Sequence, residues 1–230
     1  MTSVVAIVPA KDEATRIVAT LHGVATIRGV VAIVVVDDGS GDQTYERALA
    51  QRAVTPVPIA VTRHSRNRGK AAAMATGAVV AAARYPDAAL LFVDADLEAS
   101  AAELGVLCEP VLADEADMTI AVLPPQQRAG GGFGFVMRLA REGIMERTGW
   151  EASAPLSGQR CLSRAAYDAA SPLARGWGVE VGMTIDVLSA GLRVLEVPAQ
   201  LAHRVTGKDW RSQVHRAKQY RDVCFALRAR

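Results

Sequence analysis

The first 124 residues alternate between two patterns. Runs of consecutive apolar residues appear at 4–9 ("VVAIVP"), 30–37 ("VVAIVVVD"), 56–63 ("PVPIAVTR"), 89–96 ("ALLFVDAD") and 117–124 ("DMTIAVLP"). Between them lie stretches with apolar residues at helical spacing, as in "EATRIVATLHGVA", where Ile17, Leu21 and Val24 share a face. "DQTYERALAQRA", "GKAAAMATGAVVAAARY" and "SAAELGVLCEPVLA" predict three more helices, the last disturbed near Pro110. Proline weakens the start of the third strand. A strand that is apolar at every position, rather than at alternate ones, is covered on both faces. Such strands alternating with helices predict an α/β protein, with a Rossmann-like, mostly parallel central sheet and helices on both faces.

The pattern changes after residue 124. "PPQQRAGGGFG" is a loop with three consecutive glycines, and "FVMRLAREGIMERTG" reads as a helix. "APLSGQRCLS" is a turn leading into a short strand. "EVGMTIDVLSAG" is a helix closed by Gly191, followed by the strand "RVLEVPAQL". The terminal helix "DWRSQVHRAKQYRDVCFALRAR" carries Trp210, Val214, Ala217, Cys224 and Leu227 roughly along one side. With no internal repeat and no low-complexity linker, 1–230 reads as one domain.

Composition narrows the class. Half of the 230 residues are apolar, enough for a sizeable core, and the net charge of +2 argues against a dedicated nucleic-acid binder. Three cysteines, Cys108, Cys161 and Cys224, without a CxxC spacing, suit a reduced cytoplasmic protein rather than a disulfide framework. The first apolar run is too short for a signal peptide. No run reaches the ~18 residues of a membrane-spanning helix.

Ligands of parallel α/β sheets bind outside the carboxyl ends of the strands, and that is where this chain puts its acids. Asp94 and Asp96 end the "LLFV" run. Residues i and i+2 of a strand point the same way, so the two carboxylates would repel unless a cation joined them. Hard oxygen ligands of this kind suit Mg²⁺ or Mn²⁺ completed by water and phosphate oxygens. Asp37, Asp38, Gly39 and Ser40 end the second strand. There a glycine permits close backbone approach and carboxylates accept hydrogen bonds from a base or ribose. Asp42 reads equally as a ligand group and as a first-turn helix acid. "RHSRNRGK" sets Arg63, Arg66, Arg68 and Lys70 before a helix start, a favourable place for anions. Glu180, within "GWGVEVG", reads either as a general base or as an exposed first-turn glutamate. His203 and Arg204 follow the last strand as a candidate metal ligand and phosphate clamp. His22, His64 and His215 have no such setting and read as ordinary.

In this order "VPAKDE", "VVDDGSGDQT", "NRGKAAA", "FVDAD", "PLSGQRCLSRAAY", "GWGVEVGMTIDVL" and "HRVTGKD" resemble the family 2-type glycosyltransferases of the GT-A fold. Two branches are similar: the dolichol-phosphate mannose synthases, with a comparable DAD and SG-x-R, and the glucosyl-3-phosphoglycerate synthases, with comparable "PLSG" and "GWGVEVG". The resemblance implies a nucleotide-sugar half (1–124) and an acceptor-side half (125–230). It implies that Pro9, Ala10 and Glu13 hold the nucleobase, that Asp38 and Ser40 contact base or ribose, and that Gly69, Lys70 and Arg204 approach the nucleotide. Asp94 and Asp96 would bind ribose and a diphosphate-bound Mg²⁺ or Mn²⁺, with His203 completing the shell. Ser157 and Gly158 would belong to the acceptor loop, with Glu180 and Asp96 the catalytic acids. The chain departs from the polyprenyl-phosphate branch after its fifth strand, where "IAVLPPQQR" leaves Arg128, Arg138 or Arg141 to replace that branch's arginine.

The implied activity is metal-dependent, inverting transfer of a sugar from a UDP- or GDP-sugar to a small phosphorylated hydroxy acid or a polyprenyl phosphate. The "QQRAGGGFGF" loop is expected to close over the donor and exclude water. The expected location is cytoplasmic, with contact at the inner face of the membrane and a homodimer left open. Two rival classes are a sugar nucleotidyltransferase, against which the absence of a G-x-G-T-R-like segment after the first strand counts, and a noncatalytic nucleotide-binding protein.

Overall fold

A computed structural model describes residues 3–123, 133–201 and 210–230, with the backbone alone for 133 and 210–217. One seven-stranded sheet spans the molecule: β1 (Val4–Ala10), β2 (Val30–Asp37), β3 (Ile59–Arg63), β4 (Ala89–Phe92), β5 (Met118–Val122), β6 (Arg160–Leu162) and β7 (Val194–Pro198), in the order β3-β2-β1-β4-β6-β5-β7. Neighbours are parallel except around β6, which runs antiparallel to both β4 and β5.

The unbroken apolar strands are explained by what lies on each side. Val4, Ala6, Val8 and Ala10 of β1 enter one core with helix α1 (Ile17–Ala25), the 3₁₀ turn Glu98–Leu104 and helix α4 (Gly105–Leu112). The alternate residues Val5 and Ile7 enter a second core with α3 (Lys70–Ala82), α6 (Arg164–Ala169) and α7 (Val179–Ser189). This is the alternation a pleated strand imposes when both faces are buried. A short α2 (Thr44–Ala50) leads towards β3. A third cluster joins Val136, Ala140 and Ile144 of α5 (Phe133–Thr148) to Val181 and Ile185 of α7 and to Val223 and Leu227 of α8 (Trp210–Arg228).

Several boundaries differ from the sequence reading. β3 starts at Ile59, beyond Pro56 and Pro58, which have no N–H to give to a ladder. β4 stops at Phe92, so Asp94 and Asp96 stand in the loop beyond it, and the strand argument for their sharing a face does not apply. The helix expected over residues 100–113 is a 3₁₀ turn followed by α4, with Pro110 inside. The short α6 was not anticipated. Its six residues are too few for a periodic signal, and its cap, Ser163 Oγ accepting from Ala166 N–H, is one hydroxyl among many. Along α8, Val223, Ala226 and Leu227 are buried, while Cys224 is only half-buried. The reversed β6 matters most for the site. Arg160 pairs with Phe92 and Leu162 with Leu90, so the residues before β6 emerge at the carboxyl end of β4.

Candidate active site

The loops after β1 and β2 are laced together by side chains. Asp38 N–H donates to Ala10 O (2.8 Å), Asp12 N–H to Ser40 Oγ (3.0 Å), Gly41 N–H to Asp12 Oδ1 (2.8 Å) and Glu13 N–H to Thr44 Oγ1 (2.8 Å). Asp42 takes the first-turn helix reading: it accepts from Thr44 N–H (3.0 Å) at the start of α2 and from Ala14 N–H (3.1 Å) across the gap. Pro9 and Ala10 close β1 beside this lacing, with Ala10 paired to Asp37.

Asp38 is buried, and its carboxylate is used by the protein. Oδ1 accepts from Arg68 N–H (2.8 Å) and meets His64 Nδ1 at 2.7 Å, while Oδ2 accepts from Gly69 N–H (2.7 Å). His64, which read as ordinary, is itself buried, and its Nε2 lies 3.0 Å from Thr76 Oγ1 of α3. Asp38 and His64 together fix the turn that delivers Lys70. Gly39 does allow a close approach, but of protein: a Cβ there would lie 2.6 Å from the carbonyl carbon of Arg66. Asp37 is wholly buried without a well-aligned hydrogen bond among the described residues, and its charge is met by Arg63, whose Nε is 2.8 Å from Oδ2. Arg66 and Arg68 are exposed, so Lys70 is the member of the basic segment that enters the cluster described next.

Lys70 opens α3, and its ammonium joins the two halves of the site. Nζ lies 2.7 Å from Asp94 Oδ1 and 3.3 Å from Glu180 Oε1. Burial works against the charge, but the Asp94 and Glu180 carboxylates outweigh it and hold Lys70 above its ordinary value. Asp94 is clamped by Gln159, whose Nε2 donates to Oδ2 (2.5 Å) and whose Oε1 accepts from Asp94 N–H (3.0 Å). Gly158 leaves room for this ion pair, since a Cβ there would sit 2.4 Å from Lys70 Nζ and push the ammonium aside. Glu180 is 4% exposed in the first turn of α7, where the helix dipole favours a carboxylate, so the exposed-glutamate reading does not hold. Ser157 Oγ is buried with no hydrogen-bond partner among the described residues.

Arg160 holds this wall together. It is fully buried and donates to Ser157 O (Nε, 2.8 Å), Pro155 O (Nη2, 3.1 Å) and Thr184 Oγ1 (Nη1, 2.8 Å), and Thr184 Oγ1 in turn donates to Glu180 O (2.9 Å). Burial pushes the guanidinium down to about 10, with the charges of Glu180 and Glu196 pulling the other way. One side chain thus ties the 155–158 loop to the helix that carries Glu180. Neither Gln159 nor Arg160 was singled out for chemistry. The "SGQR" run contains both, but nothing in the run distinguishes a clamp from a surface turn.

Asp96 faces a different neighbourhood. Its charge acts on both Glu13 and Arg16, and Glu13 is ion-paired to Arg16, with Nε 2.8 Å from Oε2. Burial pushes the Glu13 carboxyl up, Arg16 opposes this, and Asp96 adds to it. Glu13, beside the candidate base site, is therefore near the second acid of the DAD run. No group of three or more His, Cys, Asp or Glu side chains poised for a metal occurs among the described residues. The donors present fit Mg²⁺ or Mn²⁺ all the same. Those ions take one or two carboxylates and leave the rest of the shell to water and phosphate, and Asp94 already attracts a cation in Lys70. His203 and Arg204, Arg128 and the glycine-rich loop lie outside the described residues. No helix among the described residues is long and apolar enough to cross a membrane.

Comparison with known proteins gives the family and the fold. The family model described as glycosyl transferase family 2 matches residues 5–169. An uncharacterised protein of Methanocaldococcus jannaschii is 30% identical over 201 residues, covering 84% of this chain and 78% of its own length. Among solved structures, glucosyl-3-phosphoglycerate synthase of Mycobacterium tuberculosis with Mn²⁺, UDP and phosphoglyceric acid superposes with a TM-score of 0.75 at 22% identity, covering 98% of this chain and 77% of that one. The same enzyme with Mg²⁺ and UDP gives a TM-score of 0.73 at 22% identity, over 98% and 78%.

Proposed function

The chain belongs to glycosyl transferase family 2 and is a glycosyltransferase of the GT-A fold, and from that premise we propose that it moves a hexosyl group from a nucleoside-diphosphate sugar to a hydroxyl of a small phosphorylated hydroxy acid. The observation that carries this reading is the meeting of Asp94 and Glu180 on the ammonium of Lys70. One acid belongs to the strand-end loop of 1–124, the nucleotide-sugar half. The other belongs to 125–230, the acceptor half.

Two facts favour a hydroxyl over a lipid phosphate. A hydroxyl must lose a proton, and Glu180 is a buried carboxylate at hand to take it. A lipid phosphate is already an anion and needs no base, so the buried Glu180 would have no proton to take from it. Solved structures of similar fold include an enzyme crystallised with UDP-glucose, Mn²⁺ and phosphoglyceric acid. That supports the same donor and acceptor classes here.

In this mechanism Pro9, Ala10 and Glu13 flank the base, with Ser40 beside them. Asp38 acts on the nucleotide through the turn at Gly69 rather than by contact. Asp94 and Asp96 would hold Mg²⁺ or Mn²⁺, which stabilises the charge of a departing diphosphate when bound. Lys70 adds a second positive charge at the start of α3, where a helix N-terminus already favours anions. Ser157 and Gly158 line the acceptor side, and the Ser157 hydroxyl, buried without a partner among the described residues, is a hydrogen-bonding group that the acceptor can use. Glu180 takes the proton as the acceptor oxygen bonds to the anomeric carbon and the bond to diphosphate breaks. Attack opposite the leaving group inverts that carbon.

The test is a thermal-shift panel of UDP-, GDP- and ADP-sugars with and without Mn²⁺, followed by product analysis with 3-phosphoglycerate and with a polyprenyl phosphate. A ligand at ~100 Kd adds ~2.7 kcal/mol of stability, which such a scan resolves. Sugar transfer to the hydroxy acid is expected. Transfer only to the polyprenyl phosphate would overturn the acceptor assignment. Binding without any transfer would leave a noncatalytic nucleotide-binding protein.

A further inference from the structure

We propose that Asp222 of α8 is a positioning residue for the transfer step: it fixes the Gly176–Trp177–Gly178 turn, and through it the first turn of α7, on which Glu180 stands. The inference rests on the reading of Glu180 as the base.

The start of α7 has little hold of its own. Gly178 is its N-cap residue and has no side chain to accept from the first N–H groups of the helix. The place of Glu180, two residues on, therefore depends on the turn before it and on the elements packed around both. From the β6 side, Arg160 Nη1 donates to Thr184 Oγ1, which donates to Glu180 O. From the other side comes α8. Trp177 N–H donates to Asp222 Oδ2 (3.3 Å), while Arg221 Nη2 donates to Asp222 Oδ1 (3.1 Å). Only 17% of the Asp222 side chain is exposed, so this bond is largely shielded from water.

The two glycines around Trp177 are explained by the same contact. A Cβ at Gly176 would lie 2.1 Å from Asp222 Oδ2, and its φ of +59° is one that glycine adopts without strain. A Cβ at Gly178 would lie 2.6 Å from Asp222 O and 2.7 Å from Ala226 Cβ. The "GWG" run is thus a notch that receives one turn of α8. Further along, Leu227 packs on Gly143 of α5, and Arg230 Nε donates to Asp186 Oδ1 of α7 (2.7 Å). Those contacts dock the helix. Asp222 alone among them bonds to the backbone of the turn that enters α7. A base must lie within hydrogen-bond reach of the proton it takes, and a misplacement of about 1 Å costs up to ~10²-fold in rate. A carboxylate that holds this turn therefore acts on the transfer step without touching the substrate.

The test is a double-mutant cycle on the whole chain, run with the donor and acceptor that give product in the panel above. Asp222→Ala should lower kcat about tenfold while the donor Kd, read by calorimetry, stays the same. Asp222→Asn, which keeps an oxygen acceptor, should recover most of the loss. In a Glu180→Gln background, Asp222→Ala should cost about twofold or less, because the group it positions is already disabled. Asp186→Asn releases Arg230 and should lower the melting temperature while kcat holds, which separates loosened docking from loss of the turn. Gly178→Ala, which pushes the turn off α8, should reproduce the kcat loss and takes the place of Asp222→Ala if that variant unfolds. Unchanged kcat in the folded variant, or a tenfold loss that persists in the Glu180→Gln background, overturns the proposal and leaves Glu180 as the base. Full turnover by Glu180→Gln alone, or no transfer by the natural protein with any pair, removes the base reading and the proposal with it.

Discussion

Asp38 and Asp94 look alike in the sequence, each an acid just past a buried strand, yet the protein uses them in opposite ways. Asp38 accepts hydrogen bonds from two backbone N–H groups and meets a histidine, all within the protein. Asp94 meets the ammonium of Lys70, which it shares with Glu180 from the other half of the chain. Around Asp38 the acids and hydroxyls bind one loop to another. Around Asp94 the acids share one ammonium instead, and the loop that carries Gly158 also carries a buried serine hydroxyl, Ser157, with no partner among the described residues. A carboxylate whose bonds are filled by backbone is scaffolding. One balanced by a lysine that also meets a second acid joins two distant parts of the chain.

The sharpest way to break this contrast is to neutralise each acid. Asp94→Asn should lower sugar transfer by about 10³-fold, because it removes the charged partner of Lys70 and a proposed donor-site carboxylate, while the fold survives. A variant that keeps near-normal turnover would sink the distinction. Next in size, Glu180→Gln should cost about 10²-fold in turnover with a hydroxyl acceptor, read in steady-state kinetics. Asp38→Asn should act on stability instead. Its amide offers donors where Arg68 and Gly69 also donate, so chemical denaturation should register a loss of about 2–3 kcal/mol.

Smaller effects separate the two serines. Ser40→Ala removes the acceptor of the Asp12 N–H and should cost about 1 kcal/mol of stability. Ser157→Ala removes a hydroxyl without a partner among the described residues, so stability should hold while KM for the acceptor rises. Smallest of all is the effect of pH on Lys70. Its ammonium is held above the ordinary 10.5, so its stabilising contribution is fully present below 10.5 and is lost only as pH rises beyond that. Stability scans from pH 6 to 9 should therefore carry no step from this lysine.

The strands were readable because both faces of the sheet are covered, which makes the apolar runs continuous. Their ends were less so. "ALLFVDAD" runs on as though extended to residue 96, but β4 stops at Phe92, and Asp94 and Asp96 turn to different neighbours. The acids, Lys70, Gly158 and Glu180 could be picked out as a set by residue type and motif. Their sharing of one ammonium could not, because it depends on contacts across residues 70, 94, 158 and 180. Gln159 and Arg160 stayed hidden for a similar reason. A buried arginine is expected to need a carboxylate, whereas Arg160 is satisfied by two carbonyls and a hydroxyl. Nothing short of the packed wall reveals that. His64 needed Asp38 and Thr76 beside it to become visible.

The reversed strand β6 has an outcome for the history of such enzymes. Since it brings residues 157–159 to the carboxyl end of β4, the acceptor recognition proposed for them would rest on the one short connection that leads from α5 into β6. Lengthening or rewriting that connection would diversify the accepted molecules while the sugar-activating strands β1 to β4 keep their pairing, so new specificities can arise by small insertions without rebuilding the fold.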